Sequence, residues 1–252
     1  MKHCIDLNAD VGELPEERNH DAALMPYITS CNIACGGHAG SEAQMRTTVR
    51  LAMRHGVRIG AHPGYADREH MGRVAMHLDD AALRLLILDQ VGLLARICAE
   101  EGATLTHVKT HGALYNQSAR DARMAGLISA AIRAISPDLV VVGQAGSEHV
   151  RMAKACGLRV LEEVFADRCY EADGSLTPRT HPQSLIGDER EAVAQVLELA
   201  RNGRVRTREG KWLDLNAETV CVHGDGEHAL RFVSGLRMVL EAHGITVSPT
   251  CR

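Results

Sequence analysis

Residues 32–45 read NIACGGHAGSEAQM, and the parsing of this stretch decides the fold. The apolar run that enters it has strand character, whereas SEAQMRTTVRLAMRHG over 41–56 carries the spacing of an amphipathic helix. Ser41 and Gln44 form an S-x-x-Q capping signal, and Gly56 supplies the stop. Between strand and helix stand Gly36, Gly37 and Gly40, with His38 among them. A turn alone needs about one glycine. Three bare positions near Asn32 and His38 predict a loop that a ligand approaches closely, faced by the amide-rich start of the next helix.

The same unit of strand, loop and helix recurs along the chain. Strand-like runs occupy 4–10, 29–37, 57–64, 105–112, 139–146, 159–168 and 219–226. Helical patterns occupy 41–56, 79–102, 188–203 and 226–244. Such alternation implies parallel pairing with right-handed crossovers. Two insertions break the rhythm: a Gly/Pro/polar stretch at 169–187, and 204–215, which reads as a hairpin turning at Glu209-Gly210. Seven units in 252 residues suit a single-domain α/β fold over 1–252, a (β/α)7 barrel. An open doubly wound sheet is the alternative.

Composition narrows the function. With 3% aromatic residues and a net charge of −4, the chain is no general nucleic-acid binder. No apolar run reaches the ~20 residues that span a bilayer. The start, MKHCIDLNAD, lacks a signal-peptide core, so a cytoplasmic enzyme is expected. Eight cysteines without a CxxC pair predict buried free thiols rather than a zinc ribbon or disulfide framework.

Polar residues collect at one end of the strands. The first strand ends in Asp6, Asn8 and Asp10; the second reaches Asn32 and His38; the third reaches His62. The fourth gives Lys109 and His111, the sixth Glu163, Asp167 and Arg168, and the seventh His223 and Asp225. Parallel α/β folds place their active sites at this carboxyl edge. The i, i+2 spacing in DLNAD points Asp6, Asn8 and Asp10 to one side of a strand. Buried there, the carboxylates need a partner or a cation, and an ion pair from Asp6 to Lys109 is one solution. Asp10, His38 and His62 could hold a divalent metal ion; otherwise the imidazoles serve as acid/base or hydrogen-bonding groups. Lys109 suits a developing negative charge. Asp225 either borders the site or caps the following helix. No GxxxxGK[ST] motif and no GxSxG elbow occur.

Taken together, IDLNADVGE, NIACGGHAG, IGAHPGYADREHMGR, HVKTHGALYN, GQAGSEHVRMA, EEVFADRCYEADGSLTPR and VCVHGDGEHAL resemble the LamB/YcsF family, from about residue 4 to residue 247. The resemblance implies a seven-stranded barrel of the glycoside hydrolase/deacetylase type. It implies ATP-dependent hydrolysis of 5-oxo-L-proline to L-glutamate, with ADP and phosphate as the other products. It also implies two partner subunits resembling the parts of a biotin-dependent allophanate hydrolase, which could themselves bind the ATP. Gly37 stands where the family pattern has a bulky aromatic, and Thr110 where it has proline. Both border the site and bear on pocket shape.

For that reaction Asp6, Asp10 or His62 would activate water, while Lys109 and His111 would hold an anionic oxygen or phosphate. Arg168 would grip the substrate carboxylate through a bidentate fork. Asn8, Asn32, His38, His223 and Asp225 complete the expected substrate-binding set. Two other readings remain: a metal-dependent, carbohydrate deacetylase-like hydrolase acting alone, and a non-catalytic lactam-binding subunit.

Overall fold

A computed structural model describes residues 4–15, 18–222 and 227–249. Its strands are β1 (Cys4–Val11), β2 (Ser30–Ala34), β3 (Arg58–His62), β4 (Leu105–Lys109), β5 (Val140–Gln144), β6 (Arg159–Phe165), β7 (Arg204–Arg206), β8 (Trp212–Asp214), β9 (Thr219–Val222) and β10 (Thr246–Val247). Strands β1 to β6 pair in order, and β9 pairs in parallel with both β6 and β1. That double pairing closes a seven-stranded parallel barrel and excludes the open sheet. β10 extends the start of β1, with Cys4 opposite Thr246. β7 and β8 form the antiparallel hairpin expected from 204–215.

The helices are α1 (Asp21–Leu24), α2 (Glu42–His55), α3 (Asp80–Glu100), α4 (Gly112–Ser118), α5 (Ala122–Ile135), α6 (Glu148–Ala155), α7 (Glu189–Asn202) and α8 (Glu227–Ala242). Their ends follow local chemistry. Ser41, Asp79 and Asp188 accept backbone amides of the first turns of α2, α3 and α7, and Gly56 and Gly203 take the left-handed conformation at two stops. Ser41 caps α2 as expected, but Gln44 does not close the box: its Nε2 donates to Leu14 O at 3.0 Å, tying the helix to the loop after β1. Ile87, Val91 and Leu94 of α3 are fully buried on the barrel side. Burying each such side chain is worth about 1.5–3 kcal/mol.

Two expectations needed revision. α5 and α6 lie outside the helical patterns read from the sequence, although Ala125, Ile128, Ser129 and Ile132 of α5 form a buried stripe. Cys4 is disulfide-bonded, against the expectation of free thiols, whereas Cys31, Cys35, Cys98 and Cys221 are free and buried.

The stretch 169–187 folds back over the carboxyl edge. Arg168 bridges to Leu185 and Tyr170 to Leu176. The Tyr170 hydroxyl accepts the Phe165 amide at 2.8 Å, and Gln195 Nε2 from α7 donates to the carbonyls of Phe165 and Arg168, both at 3.0 Å. These bonds hold the end of β6 beside the cavity described next.

Candidate active site

The barrel interior is polar in layers. In the lowest, Asp6 accepts hydroxyls of Thr29, Ser30 and Thr219. Burial raises its pKa, and the hydroxyls only partly oppose that. The expected ion pair with Lys109 is absent. Three neighbouring hydroxyls satisfy Asp6 locally, and it does not line the cavity.

One layer up, Asn8 and Asn32 join the strands. Asn8 Nδ2 donates to Glu163 Oε1 at 3.0 Å and to Thr219 Oγ1 at 2.7 Å. Asn32 Nδ2 donates to Asn8 Oδ1 at 2.8 Å and to Asp10 Oδ1 at 2.9 Å. His107 Nε2 donates in turn to Asn32 Oδ1 at 3.0 Å, its ring crossing β3 over Gly60. A Cβ at Gly60 would lie 2.1 Å from that nitrogen, so a bare position there is required. Both asparagines are spent on neighbours and buried, so they orient the site rather than line it.

The third layer carries the charge. Lys109 Nζ lies 2.8 Å from Glu163 Oε1, 3.0 Å from Asp10 Oδ1 and 3.2 Å from Cys221 Sγ. Burial alone would lower the ammonium's pKa, but the two carboxylates hold it well above the usual lysine range. Burial would likewise raise Asp10, but His62 and Lys109 outweigh it and keep the carboxyl well below the usual range. The Tyr115 hydroxyl donates to Glu163 Oε2 at 2.7 Å. Glu163 was an edge residue without an assigned role in the sequence. Tyr115 and His107 carried no signal, since neither stands at a strand end facing a glycine-rich loop.

Three histidines and Glu13 form the wall next to Asp10. His62 Nε2 is 3.3 Å from Asp10 Oδ2 and 2.9 Å from His111 Nδ1. Burial would lower the pKa of His62, but the Asp10 charge raises it overall. His38 Nε2 is 2.9 Å from Glu13 Oε1, and burial pushes His38 down to about 4. Burial would raise Glu13, but its contacts with His111 and His38 lower it. His38 and His111 stack face to face at 3.6 Å. Glu13, His38, His62 and His111 place one donor atom each within 4.8 Å of one another, a group that could hold a metal ion. Of the expected triad, His38 and His62 come together beside Glu13 and His111, and Asp10 lies between Lys109, 3.0 Å from its Oδ1, and His62, 3.3 Å from its Oδ2. Glu13 was missed because it lies in the loop after β1, outside the strand pattern.

Asp10, Glu13, His62, Lys109 and His111 line a cavity of about 340 Å³, and His38, expected among the substrate-binding residues, does not line it. Arg73, Arg120, Arg168 and Arg179 line the rest, with Phe165 and Leu176 as apolar walls. Arg168 is buried, and its fork is already engaged: Nε donates to Ser184 O at 3.2 Å and Nη2 to Thr177 O at 2.7 Å. The expected bidentate grip on a substrate carboxylate is thus not open to it. Thr110 lines the cavity with a buried hydroxyl that has no partner. At Gly37 any Cβ would lie 2.6 Å from Gln90 Nε2 and from Gly64 O, so Gln90 fills the space that a bulkier residue would take. His223 and Asp225 lie outside the described residues.

Comparisons with known proteins agree on the relationship. Residues 5–252 match the LamB/YcsF family. A 5-oxoprolinase subunit from Geobacillus kaustophilus is 49% identical over 244 residues, covering 96% of this chain and 95% of that protein. The crystal structure of a lactam utilization protein from Thermus thermophilus superimposes with a TM-score of 0.91 at 38% identity, covering 97% of this chain and 99% of that one. A family 4 carbohydrate esterase from Streptomyces lividans gives a TM-score of 0.48 at 14% identity, covering 97% and 91% of the two chains.

Proposed function

The chain belongs to the LamB/YcsF family, and from that premise we propose that it is the barrel subunit of an ATP-dependent 5-oxoprolinase. In this reading 5-oxo-L-proline, ATP and water give L-glutamate, ADP and phosphate. The observation that carries it is that one cavity is lined both by Lys109, Asp10 and His62 and by Arg73, Arg120 and Arg179. A five-membered lactam bearing a carboxylate needs both: proton transfer and charge stabilisation at the ring carbonyl, and cations for its acid group.

An unstrained lactam resists water, which is why ATP enters. Transfer of the γ-phosphoryl group to the lactam oxygen converts the amide into an imidate, and phosphate then becomes the leaving group. Water adds to the ring carbon, and the ring C–N bond breaks as the nitrogen takes a proton, leaving the amino group and an acyl phosphate; a second water then attacks that carbon and phosphate departs, giving the side-chain carboxylate of glutamate. Asp10, held ionised by its neighbours, accepts the water proton with His62 as its partner. Lys109 faces the developing oxyanion, and its two carboxylates hold it in place. Asn8 and Asn32 act through those groups, as positioning residues. Arg179, Arg73 and Arg120, exposed to the cavity, attract the substrate carboxylate, while Arg168 supplies fixed positive charge behind them.

The chain has no P-loop, so phosphoryl transfer is assigned to two partner subunits resembling the parts of allophanate hydrolase. Among the described residues no helix is long and apolar enough to cross a membrane. The histidine cluster favours a second reading, a metal-dependent hydrolase that works alone. One assay separates the two: glutamate release from 5-oxoproline with this chain alone, with ATP, and with ATP and both partners. The proposal expects release only in the full mixture. Release by the chain alone, without ATP, would replace it with the second reading.

A further inference from the structure

The wall formed by Glu13, His38, His62 and His111 contains more lone pairs than protons can serve. His62 Nδ1 lies 2.7 Å from the Lys109 carbonyl, and His111 Nε2 lies 2.8 Å from the Met71 carbonyl. A carbonyl only accepts, so each of these nitrogens carries its ring's proton. The remaining nitrogens, His62 Nε2 and His111 Nδ1, then face each other at 2.9 Å as two acceptors. Glu13 Oε1, a third acceptor, lies 3.2 Å from His111 Nδ1, 3.8 Å from His62 Nε2 and 2.9 Å from His38 Nε2. All of this is buried or nearly so, where repulsion between lone pairs is poorly screened.

One added proton on His62 Nε2 serves His111 Nδ1 and Asp10 Oδ2 but leaves His111 Nδ1 facing Glu13 Oε1, and one on His111 Nδ1 leaves His62 Nε2 facing Asp10 Oδ2. A single multivalent cation relieves all of these contacts. Ligand bonds of about 2.0–2.2 Å put neighbouring ligands of a tetrahedral ion about 3.3 Å apart. The contacts around Glu13 and between His62 and His111 run from 2.9 to 3.8 Å, bracketing that spacing. The backbone is also arranged for it. A histidine that binds metal characteristically gives its other N–H to a carbonyl or carboxylate, as His62 and His111 do here. Met71 adopts φ 52°, the one positive φ of a non-glycine residue among the described residues, and presents the carbonyl that orients His111. Left-handed backbone is unfavourable at such a residue, and the fold tolerates it at this point.

The geometry points to a site for one divalent first-row transition-metal ion, held by Glu13, His38, His62 and His111. Imidazole-rich ligation suits zinc, iron, nickel or cobalt, whereas magnesium and calcium prefer oxygen ligands. Asp10 Oδ1 is engaged by Lys109 and Asn32, while its Oδ2 lies 3.3 Å from His62 Nε2, beside the ligand set. When bound, such an ion supplies Lewis acidity at the cavity wall. The inference rests on the cluster itself and not on the substrate assignment.

The test reads metal, not turnover. Untagged chain purified without chelators would be assayed for metal content by mass spectrometry, then stripped and titrated calorimetrically with zinc chloride. Stripped chain loaded with cobalt(II) would be read by its visible spectrum. About one tight equivalent per chain is expected, with cobalt bands of nitrogen ligation. His38→Gln and Glu13→Gln should each weaken zinc binding by about a hundredfold or more, and His70→Gln, on the surface, should not. Trace metal with no saturable zinc binding to the folded wild-type chain would overturn the inference. So would unchanged binding in folded His38→Gln and Glu13→Gln. The cobalt spectrum of the wild type keeps the test decisive if either variant fails to fold.

Discussion

Lys109 concentrates the physics of the site in one residue. Its ammonium is buried between Asp10 and Glu163. Among the described residues Glu163 has no other ion-pair partner, and Asp10 has only His62 besides. Removing one member of a buried charge group leaves the rest uncompensated, at a cost of about 3–5 kcal/mol. Lys109→Met should therefore lower stability by that order in urea titrations, in addition to stopping catalysis. A variant as stable as the wild type would mean that the carboxylates are protonated or hydrated, and that the charge layer is misread. Asp10, His62, Lys109 and His111 were legible in the sequence because each ends a strand beside glycines or polar residues. Glu163 was visible only as an edge group, since Glu162 and Glu163 are adjacent and the sequence does not say which faces inward. His107 was hidden by its distance from the edge, and Arg168 was assigned a free fork because its carbonyl partners come from a loop.

At the level of elements, β3 and β4 show how a strand is cut to fit its neighbour. The register between them shifts at Gly60, where the His107 ring crosses toward Asn32. The ring cannot swing aside without losing both Asn32 and Thr106. Gly60→Ala should thus cost about 2–3 kcal/mol by overpacking, seen as a clear fall in melting temperature. A neutral result would show that His107 has a second resting place. Strand–helix alternation, the α2, α3 and α7 caps and the β7–β8 hairpin were readable from local signals. α5 and α6 went unread although their buried positions keep helical spacing, Ala125, Ile128, Ser129 and Ile132 in α5 and Val150 and Ala153 in α6. Gly37 was expected to bear on pocket shape, and Gln90, placed by α3, fills the space beside it. No local signal links residues so far apart in the chain.

Across the whole molecule, buried histidines couple stability to pH. Burial holds His107 down at about 3 and His149 at about 4. In the unfolded chain both would take a proton near pH 6.5. Their depressed values mean that stability is whole above about 6.5 and is lost as pH falls toward the folded values. Between pH 7 and pH 5 His107 and His149 should together remove about 4 kcal/mol of unfolding free energy. His149→Gln should recover about half of that loss in paired urea titrations, and an unchanged pH slope would show that His149 does not contribute to it.

The barrel gathers these layers beneath one cavity, and lactam hydrolysis is assigned to that cavity rather than to the partner subunits. The decisive measurement is glutamate formation from 5-oxo-L-proline and ATP by the complete mixture, with wild-type barrel or with folded Asp10→Asn. Asp10→Asn is expected to lower the rate by about a hundredfold or more while the variant still assembles with its partners. Wild-type turnover by the Asp10→Asn mixture would place the hydrolytic chemistry elsewhere and contradict the assignment.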